Sequence, residues 1–260
     1  MNRSTSIVVL KKTKLGETDL IITGFSEEGD QIRAVAKGAR RPGSKLGAHL
    51  ELYSIARVLV YQKGNLGIIR EASTIASNEA CRQDVSHSAG AAVIVELLDR
   101  TSCDGETECR LFPLTCEGLR CLGKSPEEGV ALIAAATALK TVAQLGYRPS
   151  LCECVLCGSS IKDWADHTGA KKERAFSFDQ GGVICEDCLS GLVEEEFIYI
   201  DPQLIEWVEL LIASRFVDLE RYADAEHESL GRALLEFSRE WIRFHVVRQL
   251  KSLDFLLGFR

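Results

Sequence analysis

The sequence lacks any apolar run that approaches the roughly 20 residues a helix needs to cross a bilayer. Between Met1 and Leu15, the only unbroken apolar stretch is Ile7–Leu10, which is followed by Lys11, Lys12 and Lys14. This stretch is too short for the core of a signal peptide and is typical of a strand. We therefore expect a cytoplasmic protein with no membrane partner.

Catalytic motifs are also missing. The sequence contains no GxSxG nucleophile elbow, no phosphate-binding loop and no HExxH helix. The neighbouring carboxylates Glu27–Glu28 and Glu194–Glu196 have the character of solvated surface. We expect that the chain is not an enzyme. Internal repeats and low-complexity segments are absent too, so 260 residues should form one large domain or two small ones.

No cysteine precedes Cys81, although the chain has ten. In a reducing compartment, cysteines are usually small buried hydrophobes or metal ligands rather than disulfides. Five of them lack paired spacing and are expected to be buried structural thiols: Cys81, Cys103, Cys109, Cys116 and Cys121.

Four other cysteines form two CxxC units with 27 residues between them. Each tight turn offers two thiolates to one side, so two turns supply the four bonds of tetrahedral zinc. We predict one structural zinc ion, and four thiolates leave it no open position for catalysis. Free thiols or a redox pair are the alternatives, Cys152 could compete as a ligand, and His167 is expected in a solvated loop. The predicted ligands are Cys154, Cys157, Cys185 and Cys188.

The surroundings of the two cysteine pairs support this prediction. Gly158 directly follows the first pair and is expected to help its turn close, because glycine accepts left-handed backbone angles. The spacer contains Ala175–Phe178 and Gly181–Gly182, which predict a small hairpin between the pairs.

The net charge of −7 is unevenly distributed. Residues 1–80 contain 12 basic and 8 acidic residues, an excess of four positive charges. The rest of the chain, 81–260, has an excess of 11 negative charges. A polyanion such as nucleic acid is therefore expected to meet the first third of the chain.

The segment Lys37–Lys45 places four cations among Gly, Pro and Ser, so its backbone can approach a phosphate chain closely while its cations reach the oxygens. No base-reading element is evident, which favours sequence-neutral contact. An ordinary solvated turn is the alternative. Aromatic side chains for base stacking are few, and Phe25, Tyr53 and Tyr61 could equally belong to a core. The candidate DNA-binding residues are Lys11, Lys12, Arg33, Lys37, Arg40, Arg41 and Lys45.

The N-terminal part of the chain shows strand patterns separated by turns that contain glycine. The predicted strands are Thr5–Lys11, Asp19–Phe25, Gln31–Lys37, Leu52–Gln62 and Leu66–Glu71. Five short strands fit a small closed barrel, either an OB-fold or an SH3-like barrel.

The periodicity becomes helical after Asn78. Ser125 to Glu128 has the pattern of a capping box and predicts a helix that ends near Leu145, just before Gly146. Asp201–Pro202 predicts another helix start. A last helix is predicted from about Glu228 to Leu250, with an apolar stripe formed by Leu230, Leu234, Phe237, Trp241 and Phe244.

Two groups of motifs resemble the RecO family of recombination mediators. Ile7–Leu10, Gly16–Asp19 and the Lys37–Arg41 loop resemble its N-terminal region. Gly146–Pro149 and the two cysteine pairs, with Gly181–Ile184 before the second pair, resemble its zinc module. The motifs lie within the ranges 1–70 and 146–190, in the order and at the distances of that family.

The resemblance implies an α+β protein. It implies a five-stranded OB-fold β-barrel at 1–77, followed by an α-helical domain at 78–260 with an inserted four-cysteine zinc module at about 150–192. It also implies a DNA repair protein of the RecF pathway that binds single- and double-stranded DNA at the nucleoid and anneals complementary strands. Such a protein acts with RecR and helps RecA load onto strands coated with single-strand-binding protein (SSB), and in some members of the family the acidic SSB tail docks on the helical domain. The alternative is a zinc-containing interaction scaffold whose barrel binds no DNA.

Overall fold

The structure is a computed structural model that describes residues 2–61, 64, 66–102, 107–161, 173–193 and 196–258. Five strands close a barrel in the order β1-β2-β3-β5-β4, and β4 returns to β1. They are β1 (Asn2–Leu15), β2 (Asp19–Ser26), β3 (Gln31–Ala36), β4 (Ile55–Tyr61) and β5 (Gly67–Ala76).

One pair of strands decides between the two barrel types left open by the sequence. β3 and β5 are parallel, with Val35 opposite Ile68, whereas every other pair in the ring is antiparallel. A short helix, α1 (Lys45–His49), lies between β3 and β4, and the fully buried Leu50 directly after it joins the barrel core. This arrangement is OB-like and confirms the predicted fold class.

Alternation along β1 gives the barrel two apolar faces. Ile7 and Val9 point into the barrel, where they pack with residues such as Ile22 and Val58. Val8 and Leu10 belong instead to the core of the helical part. The outer face of β1 is therefore where the barrel docks on the helices.

The helical domain is built around α4 (Val130–Gln144), in which eleven residues are buried. Four helices pack against it, and α9 (Lys251–Leu257) packs on two of them, α2 and α8. The four are α2 (Val85–Thr101), α3 (Leu111–Leu122), α6 (Pro202–Ala213) and α8 (Glu228–His245). Among the described residues, no helix combines the length and apolar character that a bilayer crossing needs.

A small sheet is inserted between α4 and α6. It has the strand order β7-β6-β8 and contains β6 (Arg174–Ser177), β7 (Gly182–Ile184) and β8 (Ile198–Ile200). The hairpin expected between the cysteine pairs is thereby confirmed. Two short helices, α5 (Glu186–Leu189) and α7 (Phe216–Leu219), complete the fold.

Two helix boundaries predicted from the sequence were wrong. Ser125 does not cap α4, because its hydroxyl donates to the carbonyl of Leu122 at 2.9 Å and so completes the end of α3. A 3₁₀ turn at Glu127–Gly129 precedes α4 instead. The last helix ends at His245 rather than near Leu250, since the chain turns to bury Leu250 and begin α9. Asp201 does cap α6, as predicted, by accepting from the N–H of Gln203.

Candidate nucleic-acid interface and metal centre

The segment Lys37–Lys45, called the basic loop below, is anchored in the barrel. Ala39 is buried in the barrel core. A β-carbon on Gly47 would lie 2.2 Å from the carbonyl oxygen of Ala39, so α1 packs directly on the loop backbone. Ser44 caps α1, and its hydroxyl accepts from the N–H of Gly47 at 3.2 Å. The cations therefore lie on a loop with a fixed path.

The basic loop is also tied to the turn between β1 and β2. One terminal nitrogen of Arg40 donates to the carbonyls of Gly16 and Glu17, at 3.0 and 2.9 Å. The N–H of Arg40 donates to the carbonyl of Thr18 at 2.9 Å. A carboxylate oxygen of Asp19 accepts from the N–H of Gly38 at 2.8 Å. The two turns thus form one unit at this end of the barrel.

Positive charges in the barrel divide into two groups. Arg3 pairs with Glu28 and Asp30, Arg57 pairs with Glu27, and Lys12 pairs with Glu51. Within the described part of the chain, the other group forms no salt bridge. This second group contains Lys11, Lys14, Arg33, Lys37, Arg40, Arg41, Lys45 and Arg70, all of them exposed.

Register explains why neighbouring lysines in β1 behave differently. Lys11 lies opposite Thr23, which lies opposite Arg33, so Lys11 and Arg33 flank one row on the outside of the barrel. Lys12 lies in the next row, with Ile22, and its amine reaches Glu51 at 2.8 Å. Of the three strand cations in the predicted patch, Lys11 and Arg33 share a surface and Lys12 is neutralised elsewhere.

The basic loop lies at the end of β3 that points away from the helices. At the start of that strand, the amide of Gln31 donates to Asp99 and Ser102 of the helical domain. The loop follows Ala36 at the other end, about 17 Å along a six-residue strand. The ion pairs of Arg3 therefore lie near the domain junction, whereas the cations of the basic loop lie at the opposite end of β3.

The aromatic residues considered for base stacking have other positions. Phe25 and Tyr53 are buried and pack in the core shared with the helices. Tyr61 is half-buried beneath the guanidinium of Arg70, which lies 4.8 Å from the ring centre. Because Phe25 and Tyr53 lie in the core, they are not available to stack on nucleic-acid bases. The surface around the loop can therefore contact a nucleic acid mainly through its cations.

The four predicted metal ligands meet at one point. The sulfur atoms of Cys154, Cys157, Cys185 and Cys188 all lie within 4.8 Å of one another, and those of Cys157 and Cys185 are 3.7 Å apart. Tetrahedral zinc with four bonds of about 2.3 Å separates its sulfur ligands by about 3.8 Å. The residues therefore fit a structural zinc ion, which would be held by these thiolates alone.

Backbone geometry prepares the knuckle for a thiolate cluster. Gly158 has a φ of +75° and donates its N–H to the carbonyl of Cys154 at 2.8 Å, which closes the first turn as predicted. Burial opposes ionisation of Cys154, but N–H groups from Cys185, Cys157 and Leu156 point at its sulfur and lower its pKa to about 6. The neighbouring thiols of Cys185 and Cys157 raise the pKa of Cys188 to about 12. A bound cation would favour the thiolate form of all four cysteines and so offset the repulsion among their negative charges.

The remaining cysteines divide by exposure. Cys152 is exposed and lies outside the cluster of four. Cys81 and Cys121 are buried as expected, and burial raises the pKa of Cys81 to about 11. The prediction was wrong for Cys109, which is exposed because it lies in the turn before α3. Cys116 is half-buried. Cys103 and His167 lie outside the described residues.

The small sheet beside the cysteine cluster is joined to the helices through aromatic rings. Phe176 of β6 is fully buried and makes edge-to-face contact with Phe237 of α8 at 5.5 Å between ring centres. Phe178 stacks on Phe244 at 5.8 Å. A metal ion held by the four cysteines would therefore stabilise the sheet that covers the apolar face of α8.

Sequence reasoning missed one residue of the loop unit. Asp19 follows the β1–β2 turn, and the N–H of Gly38 and the hydroxyl of Thr18 both donate to it and lower its pKa. Lys37 and Arg41 lie close enough to lower that pKa further. Asp19 entered the sequence analysis only as part of the Gly16–Asp19 motif, and no local pattern indicates that its carboxylate contacts a residue 19 positions further along the chain.

Comparisons with known proteins agree over nearly the whole chain. The family described as "Recombination protein O N terminal" matches residues 1–78, and "Recombination protein O C terminal" matches residues 82–254. The chain is 34% identical to the DNA repair protein RecO of Cutibacterium acnes over 259 residues, which is 96% of each protein. It is 30% identical to that of Streptomyces griseus over 258 residues, again 96% of each. The match to RecO of Desulfitobacterium hafniense is 33% over 181 residues, 70% of this chain but only 62% of that protein.

Proposed function

The chain belongs to the RecO family of DNA repair proteins, and from this we propose that it binds DNA through its barrel as a recombination mediator. In this proposal it binds single- and double-stranded DNA and anneals complementary strands. With RecR it helps to load RecA onto DNA coated with SSB, whose acidic tail docks on the helical domain. It acts by binding rather than by catalysis, in the cytoplasm at the nucleoid.

One observation carries the DNA-binding proposal. The exposed cations of the barrel that form no salt bridge within the described residues include the whole set of the basic loop: Lys37, Arg40, Arg41 and Lys45. At the domain junction, by contrast, Glu27, Glu28 and Asp30 neutralise Arg3 and Arg57. An acidic protein that leaves one group of cations unpaired on an anchored loop has a suitable surface for a polyanion.

Annealing follows from the same electrostatics. Two DNA strands repel one another through their phosphates, and a cationic surface that neutralises both allows them to approach. Binding of this kind releases counterions, so log affinity for single strands falls with log salt by about 0.7 for each phosphate contact. The helical domain and the metal centre are proposed to recruit partner proteins and to take no part in chemistry.

The direct test is the charge reversal of three loop residues, Lys37→Glu, Arg41→Glu and Lys45→Glu, in one protein. We expect affinity for an oligonucleotide to fall at least several-fold, and the slope against salt to decrease by about 0.7 for each lost contact. The matched control reverses three exposed arginines of the helical domain, Arg100→Glu, Arg215→Glu and Arg221→Glu, which changes the net charge equally.

The two variants separate a local site from a general charge effect. Equal loss of binding in both would show that only net charge matters. Unchanged binding in the loop variant would refute the loop as the site. If the wild-type protein binds no oligonucleotide at low salt, DNA binding is refuted. The alternative, a zinc-containing interaction scaffold whose barrel binds no DNA, then takes its place. Annealing of complementary strands coated with SSB, measured with and without the protein, tests the mediator function itself.

A further inference from the structure

An acidic residue lies directly beside the basic loop of the candidate DNA-binding surface. Asp19 lies close to Lys37 and Arg41 and begins β2, directly after the β1–β2 turn. By electrostatics alone, a carboxylate at this position weakens attraction for phosphate, since like charges repel. Its presence therefore calls for a structural reason.

The contacts of Asp19 supply such a reason. One carboxylate oxygen accepts both the N–H of Gly38 at 2.8 Å and the hydroxyl of Thr18 at 2.9 Å. Gly38 has a φ of +67°, in the left-handed region, so the basic loop turns sharply at this residue. The next turn of the loop is closed by the N–H of Arg41, which donates to the carbonyl of Gly38 at 3.1 Å. The bond from Gly38 to Asp19 thus fixes the point from which the loop cations project.

Arg40 forms a second link between the basic loop and the β1–β2 turn. Its guanidinium points to the β1–β2 turn, where one terminal nitrogen binds the carbonyls of Gly16 and Glu17. The side chain of Arg41, in contrast, lies across Gly38, 3.5 Å from the place that a β-carbon there would take. One loop arginine is engaged with the fold and the other is available to a ligand.

We propose that Asp19 is a positioning residue of the DNA-binding loop, which with Arg40 holds the loop so that Lys37, Arg41 and Lys45 reach successive phosphates. This inference rests on the proposed function. Asp19 itself does not contact DNA. Its negative charge weakens attraction, and a pre-formed loop outweighs that cost because the cations need no ordering when DNA binds.

Removal of the carboxylate distinguishes positioning from charge. Asp19→Ala makes the protein more positive by one unit and deletes the acceptor for Gly38. Glu17→Ala, two residues earlier on the same turn, adds the same charge and leaves the backbone carbonyl that binds Arg40 in place. We expect Glu17→Ala to bind a single-stranded oligonucleotide as tightly as the wild type or up to a few-fold more tightly. Asp19→Ala should bind several-fold more weakly, with a smaller slope against salt, because phosphate contacts are lost.

Two further measurements isolate the hydrogen bond. Asp19→Asn keeps an oxygen acceptor without the charge and should bind at least as tightly as the wild type. Amide hydrogen exchange at Gly38 should accelerate in Asp19→Ala and stay slow in Asp19→Asn, without DNA present. If thermal unfolding shows that the barrel of Asp19→Ala does not fold, Asp19→Ser is used in its place. The serine side chain is too short for its hydroxyl to reach the N–H of Gly38.

The outcomes separate this inference from the proposed function. Tighter binding by both Asp19→Ala and Glu17→Ala would show that Asp19 acts only through charge, and would overturn the inference while leaving DNA binding intact. Unchanged exchange at Gly38 in Asp19→Ala would overturn it equally. A wild-type protein that binds no oligonucleotide would overturn the proposed function, and the inference with it.

Discussion

The indole N–H of Trp241 donates to the backbone carbonyl of Tyr147 at 2.8 Å. Tyr147 lies in the segment that leads from α4 to the first cysteine knuckle, and Trp241 is buried on α8. This single bond therefore joins the last long helix to the entry of the metal centre. The Trp241 ring belongs to the same aromatic cluster as Phe176 and Phe237.

Trp241→Phe should lower the free energy of unfolding by about 1–3 kcal/mol, because it removes the half-buried bond to the carbonyl of Tyr147 and part of a buried indole ring. Phe244→Leu, on an exposed part of the same helix, is the control and should cost less. Urea denaturation measures both. Equal costs for the two variants would contradict the importance of the bond.

Metal removal should loosen the small sheet while the barrel remains folded. A chelator, or Cys185→Ser, is expected to abolish zinc binding and to change the fluorescence of Trp241, because Phe176 and Phe178 cover it only when the sheet is in place. Metal analysis and fluorescence provide the measurements. Cys152→Ser is the matched control, and it should retain one equivalent of zinc. Loss of zinc in that variant would assign Cys152 to the site.

The ion pair of Arg3 and Asp30 should make barrel stability depend on acid pH. The hydrogen bonds from Arg3 hold the pKa of Asp30 below its ordinary value. A carboxyl group with a depressed pKa stabilises the fold above its unfolded pKa of about 3.9, and this stability is lost as pH falls through the lower, folded value.

Asp30→Asn removes that dependence in the acid range and should cost about 1–3 kcal/mol at neutral pH. Urea denaturation between about pH 2 and pH 7 tests the sign. Parallel curves for the variant and the wild type across this range would be inconsistent with the predicted linkage.

Gly47→Ala should destabilise the barrel by about 1–3 kcal/mol, because the added carbon would clash with the carbonyl of Ala39. The clash pushes α1 away from the basic loop, so DNA affinity should fall as well. Ala48→Ser, one residue further along and exposed, is the control and should stay within about 0.5 kcal/mol of the wild type. Chemical denaturation combined with an oligonucleotide titration checks the two effects together.

Local patterns in the sequence predicted much of the structure. The predicted strand Gln31–Lys37 is confirmed as β3, and Ile32, Ala34 and Ala36, which alternate with Arg33 and Val35 in the sequence, are all buried. The cysteine spacing predicted the cluster of four, because two tight turns can only present their thiols in a few ways. Such features depend on residues close together in the chain.

Contacts between distant residues were not predictable in the same way. Ser125 has the residue type of a helix cap, yet its hydroxyl is used by the preceding helix. The parallel pairing of β3 and β5 depends on barrel closure, which no strand pattern encodes. The loop cations were found by composition, whereas the bond between Asp19 and Gly38 became visible only when two turns met in space.

Closure of the barrel has a consequence for how the protein behaves at high local density. An open sheet presents unpaired N–H and C=O groups along its outermost strands, and these groups recruit strands from other molecules. In the described residues, each of the five strands has a neighbour on both sides, and only the short pairing of β3 with β5 leaves part of the ring open. If the protein binds DNA as proposed, copies that lie side by side on one strand would therefore have few free backbone groups through which their barrels could aggregate.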